Sequence, residues 1–281
     1  MRVVKQLGAV VVVAVPGSAA VHAAQGSWPL ALVAGVVVAV AMVLAYAWVV
    51  RRTERRPASE VALAGGGSDL RRGVGIGVLV FVTVIAVIAL AGGYRVEGWG
   101  SPATALAFLG LTVAAVATEE LIFRGIVQRV LEQRVGTWVA LGATAALFGG
   151  MHLANANATL WGAVAIAIEA GGMLGAAYVL TRTLWLPMGL HLGWNLAVGG
   201  IFGTEVSGNA TPQGLLDGVT SGPVWLTGGA FGPEGSVVAV VVCSVVTVVL
   251  LRLAHRRGRI VLRRRVVEPA VASAPAATVS A

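Results

Sequence analysis

Six stretches of this chain, 6–50, 74–94, 98–118, 135–168, 183–204 and 235–251, contain no Asp, Glu, Lys or Arg. A chain with so much uncharged, apolar sequence has no water-soluble solution, because too little polar surface remains to cover it. In hydrocarbon the backbone must satisfy its own hydrogen bonds, which leaves helices or closed barrels. Runs of about 20 residues match the rise of a helix through a bilayer, and the short alternation of a barrel strand is missing. The expectation is an all-α polytopic membrane bundle of about eight transmembrane helices. The spans fall near Leu7–Ala24, Pro29–Val50, Val74–Gly93, Pro102–Phe123, Trp138–Leu153, Leu160–Leu180, Leu184–Phe202 and Ser236–Leu251.

The net charge of +8 comes from 19 Arg and one Lys, gathered in short blocks. Placing Arg51–Arg72, Arg129, Arg134, Arg182 and the Arg252–Arg265 tail together in the cytoplasm satisfies the positive-inside rule with strictly alternating spans. Blocks of this kind at helix ends are topology signals and contacts for anionic lipid, so the bilayer is the partner they imply and nucleic acid is not. Arg2 and Lys5 followed by Leu7–Val15, Pro16 and small residues also fit a signal peptide, which would leave the later helices oriented as before. The single cysteine, Cys243, lies in an apolar run and reads as packing. Arginine in place of lysine, with abundant Ala, Val and Gly, points to a GC-rich bacterial genome and hence to a bacterial inner or plasma membrane. Residues 51–73 form a polar connector, 204–234 a Gly- and Pro-rich outer loop, and the Ala-, Pro- and Ser-rich tail after Glu268 lacks the apolar content to fold.

Charge does intrude into one apolar helix, at Glu119, Glu120 and Arg124. Ionisable groups at membrane depth are costly unless paired or used. Residues four apart share a helical face, so Glu120 and Arg124 are natural ion-pair partners, whereas Glu119 points about 100° away. A pair of this kind can simply fix helix register. Other polar groups at the same depth weaken that reading. His152 follows Phe148-Gly149-Gly150-Met151, and His191 stands four residues before Asn195 on one face of its helix. A carboxylate, two imidazoles and a carboxamide supply a base for water and donors for an oxyanion, the minimum for hydrolysing an amide. The chain offers no His-Glu-x-x-His and no Gly-x-Ser-x-Gly motif, which disfavours zincin and serine chemistry.

Glu119-Glu120-x-x-x-Arg124, Phe148-x-x-x-His152 and His191-x-x-x-Asn195, the last preceded by Leu184-Trp185-Leu186-Pro187-Met188-Gly189-Leu190, closely resemble the three motifs of the CPBP family. That family includes the type II CAAX prenyl endopeptidases and the Abi-type immunity proteins. The resemblance divides the chain into N-terminal helices and connector (1–99), a CAAX-protease-like core (100–205), and an outer loop, last helix and basic tail (206–281). It implies an eight-helix fold with a catalytic cavity open to the cytoplasm and a peptide or membrane-protein substrate. Glu119 would activate water, with Glu120 and Arg124 in support. His152 would hold the water or polarise the substrate, and His191 and Asn195 would stabilise the oxyanion. The family is also called a metalloprotease family. Glu119, His152 and His191 are adequate ligands for a divalent metal such as zinc, so metal-dependent and metal-free versions both stand. The leading expectation is an intramembrane endopeptidase; a non-proteolytic immunity or scaffold protein and a proton-coupled transporter are the alternatives. Glu169, also within a span, is outside the three motifs, and Gly171, Gly172 and Gly175 suit close helix packing.

Overall fold

The computed structural model describes residues 2–211 and 213–262, so the tail after Glu268 and the last three arginines of the basic block lie outside the described residues. Helix dominates. α1 (Arg2–Ala23), α2 (Trp28–Glu54) and α3 (Gly66–Leu90) precede a strand, β1 (Tyr94–Trp99). α4 (Pro102–Glu120) runs without a break through a π-helical stretch, Leu121–Gln128, into α5 (Arg129–Val135). α6 (Thr137–Met151) follows, and then α7 (Leu160–Ile166) continues through a second π-helical stretch, Ala167–Gly172, into α8 (Met173–Thr181). α9 (Trp185–Asn195) ends in a third, Leu196–Ile201; β2 (Leu216–Thr220) and the short α10 (Val224–Thr227) lead to α11 (Val237–Arg256).

Seven of these helical segments are long and apolar enough to cross a membrane, and the protein is a multi-pass membrane protein. The expected span at Leu184–Phe202 is present as a shorter helix, 11 residues of α9 followed by six of π-helix. Local sequence sets the ends. Ser101, Thr159 and Ser236 each accept a hydrogen bond from a backbone N–H of the following first turn, which caps α4, α7 and α11. Gly136, at φ 82°, supplies the left-handed turn that breaks α5 from α6. Large apolar side chains left uncovered, such as Val33, Val37, Val40 and Leu44 on α2, form a surface suited to lipid tails.

The two ends of the bundle are tied by different means. At one end Arg129 bonds Glu54 at 2.8 Å, Arg182 pairs with Glu132, Leu184 N–H donates to the carbonyl of Glu60, and Thr137 N–H to that of Val261. The connector at 51–73 is docked here, with Glu60 only 5% exposed and bonded to Arg56. At the opposite end β1 and β2 pair antiparallel from Tyr94↔Thr220 to Trp99↔Leu216, with an irregularity between Val96 and Gly98. β2 lies in the stretch that the sequence marks as an outer loop, and β1 between two of the expected spans. Tyr94 secures them by donating to the carbonyl of Phe202 at 3.0 Å, and burial and the nearby Asp217 push its hydroxyl up to about 12, so it remains a donor.

One helix contact fixes the site that follows. Gly73 and Gly77 on α3 face Gly189 and Gly193 on α9 so closely that an added Cβ would lie 2.2 Å from a backbone oxygen across the seam, or 2.5 Å at Gly73. Small residues four apart on both helices let the two backbones touch, the packing that membrane helices use in place of a hydrophobic driving force. Gly171 and Gly175 likewise meet α6 at Ala145 and Leu141, whereas Gly172 has room for a side chain.

Candidate active site

His191 stands two residues from each glycine of the α9 seam, about 200° round the helix. With the glycine face against α3, the imidazole is directed at α4. There Nδ1 lies 2.9 Å from Oε1 of Glu120, while Nε2 lies 3.9 Å from Oε2 of Glu119. Because a carboxylate only accepts, Nδ1 carries the proton, and a neutral ring presents Nε2 as a lone pair beside Glu119.

The two adjacent carboxylates are set apart by their surroundings. Glu120 is fully buried and receives Nη1 of the equally buried Arg124 at 2.7 Å, the i, i+4 pair that the sequence suggests. Arg124 also donates through Nη2 to the carbonyl of Ala170 at 2.8 Å and lies 4.5 Å over the Phe148 ring. The guanidinium therefore joins α4, α6 and the π-helical stretch before α8. Glu119 has a side chain 25% exposed and looks into a cavity of about 670 Å³. His152 is on the same wall, its Nδ1 donating to the carbonyl of Phe148 at 2.7 Å, which leaves its Nε2 as an acceptor. Asn195 also lines the cavity, and among the described residues its carboxamide makes no side-chain hydrogen bond. All six residues singled out in the sequence thus meet in one place: four on the cavity wall, Glu120 and Arg124 directly behind it.

Residues 101–197 match the Rce1-like type II CAAX prenyl endopeptidase family. The matched segment runs from the cap of α4 through α9 and includes every residue of the site just described. This is a family of CAAX-type intramembrane endopeptidases. No curated protein and no solved structure matches the chain.

Measured against the ligand set that the family's metalloprotease label suggests, the geometry does not fit. Glu119, His152 and His191 share the cavity, yet among the described residues no three His, Cys, Asp or Glu side chains gather closely enough to hold an ion. His152 is drawn back by its own helix carbonyl, a bond that follows from ending α6 at Met151.

The cavity also uses residues that the three motifs omit. Ser18 and His22 come from α1 and Glu169 from the second π-helical stretch, while Glu234 comes from the loop before α11. Trp194 donates to Glu234 at 2.7 Å, and the backbone and hydroxyl of Ser207 bond the same carboxylate. That network ties the 204–234 loop to the helix carrying His191 and Asn195. A second, smaller recess of about 290 Å³ between α1, α2 and α4 also reaches Glu119, along a lining that is mostly Ala, Val and Leu.

Glu169 is 2% exposed, and among the described residues neither of its carboxylate oxygens has a hydrogen-bond partner. An unsatisfied buried polar group costs on the order of 1–3 kcal/mol. Replacing it with an apolar side chain of similar length removes that cost, so Glu169→Met should raise the thermal unfolding midpoint of the purified protein in detergent. A lowered midpoint would show that Glu169 has a stabilising partner.

Proposed function

We propose that this protein is an intramembrane endopeptidase in which Glu119 activates the attacking water. The observation that carries this reading is the division of labour between neighbouring carboxylates. Arg124 and His191 both hold Glu120, while Glu119 is left facing the cavity without a cation of its own.

Glu119 takes a proton as the water oxygen bonds to the scissile carbonyl carbon, and the carbonyl oxygen becomes an oxyanion. As the C–N bond breaks, the same proton passes to the leaving amine and Glu119 returns to its starting form. With Nδ1 of each committed to Glu120 and to the Phe148 carbonyl, Nε2 of His191 and of His152 is the nitrogen left to bond the water. The oxyanion then relies on the carboxamide of Asn195, whose N–H₂ has no competing side-chain hydrogen bond among the described residues. This modifies the sharing of that role between His191 and Asn195 read from the resemblance. This reaction needs no metal, and among the described residues the donors are not gathered for one.

Asn195→Ala is expected to lower turnover by about a hundredfold or more with little change in substrate binding, as for other oxyanion donors. Cleavage should persist in the presence of a strong chelator. The peptide ends produced by cells or membranes carrying each variant report both. A wild-type rate in Asn195→Ala would remove the oxyanion assignment, and activity lost to a chelator and restored by zinc would return the site to metal chemistry.

A further inference from the structure

We infer that the cavity opens at the non-cytoplasmic face, so that the segment cleaved is one presented on that side of the membrane. This rests on the endopeptidase reading for the word cleaved, and on geometry for the side.

Successive helices alternate in direction, which sorts the chain into two ends. The start of α1, the 51–73 connector, the α5–α6 and α8–α9 turns and the end of α11 share one of them, joined by the bonds from Arg129, Arg182 and Thr137. That end carries the Arg51–Arg56 block, Arg71, Arg72 and the Arg252–Arg259 block. At the other end, described residues of β1, β2 and the intervening loops include Arg95 against Glu97, Glu205, Asp217 and Glu234. Such an asymmetry places the arginine-rich end in the cytoplasm.

The cavity belongs to the other end. Beyond Glu119 it is walled by Asn155, Ser207, Asn209, Ala210 and Thr211, all from loops that follow the far ends of α6 and α9. Asn209 and Ala210 are exposed. In the opposite direction the way is filled. The next turns of the Glu119 helix bring in Arg124, Gln128 and Arg129, which are 0%, 1% and 4% exposed. Gln128 donates to the carbonyl of Gly175 at 3.1 Å, and Arg129 is locked between Gly125 and Glu54. Two layers of buried polar side chains, bonded to neighbouring carbonyls and carboxylates, therefore stand between Glu119 and the arginine-rich face. A cytoplasmic opening, as the family resemblance implies, is incompatible with the orientation that the arginines specify. The sealed floor decides which expectation yields once the arginines are assigned.

The test needs no substrate. In a Cys243→Ala background, which removes the one native thiol, Ala210→Cys and Arg72→Cys are expressed separately in bacterial cells and exposed to a membrane-impermeant maleimide. Ala210→Cys is expected to label in intact cells, and Arg72→Cys only after permeabilisation. The reverse pattern would overturn the orientation, labelling of both in intact cells would overturn a single orientation, and an Ala210→Cys that never labels would overturn the open mouth. The endopeptidase reading fails separately. Expected labelling with Glu119-independent cleavage sinks the peptidase and keeps the orientation, whereas reversed labelling with Glu119-dependent cleavage does the opposite.

Discussion

Glu119→Gln should fold and insert as the parent does yet lose peptide cleavage by between about a hundred- and ten-thousandfold, the range a general base contributes. The substitution is nearly isosteric, and the carboxylate it replaces is a quarter exposed to the cavity and, among the described residues, pairs with no arginine. Folding therefore loses little, while the amide has no basic oxygen able to take a proton from water. The comparison to make is of newly formed peptide ends in cells expressing the parent or the variant, with the amount of membrane-inserted protein measured alongside. Undiminished cleavage in Glu119→Gln would dismiss it as the base and shift attention to His191.

The second large effect is on stability. Arg124→Met should cost about 3–5 kcal/mol, because it leaves the carboxylate of Glu120 buried without its cation. It also removes the bond that Arg124 makes to the π-helical stretch at Ala170. The double variant Arg124→Met, Glu120→Met should recover much of the loss, since removing both charges of a buried pair is often close to neutral. Thermal unfolding of the four proteins in one detergent forms a double-mutant cycle. If the double variant is as unstable as Arg124→Met, the stranded charge is not the cause, and loss of the Ala170 bond or of packing against Phe148 takes its place.

These two residues mark how far the sequence could be read. The Glu120–Arg124 bond follows from helix periodicity alone, because four-residue spacing brings the groups together whatever surrounds them. The spans were legible for a similar reason: hydrocarbon imposes a length and forbids charge. That His152, His191, Asn195 and Glu119 converge was suggested by their shared depth, but lateral neighbours are not written in a single helix. Glu169, Glu234 and Trp194 show the difference. Each is readable as a residue at membrane depth or in a loop, and only the packing shows that the loop before α11 folds down against α9. The pairing of β1 with β2 joins segments more than a hundred residues apart, beyond any local pattern. Nor is the mouth of the cavity legible, because the charge pattern orients helices without saying which end of the bundle is hollow.

The glycine seam between α3 and α9 has a bearing on how this protein can change. Most contacts in a protein interior are negotiated between side chains, and a swap on one face can be answered by a swap on the other. Here the meeting surfaces are main chain, with a carbonyl 2.2 Å from where a methyl on Gly77, Gly189 or Gly193 would stand. No compensating side chain exists to shorten, so any enlargement is converted into movement of α9 and carries His191 away from the carboxylates. α3 contributes no group to the chemistry, yet it acts as the datum from which the imidazole is positioned. Variation that alters which peptides are accepted is therefore to be sought along α1 and the 204–234 loop, where the walls are side chains and can be exchanged without shifting that reference.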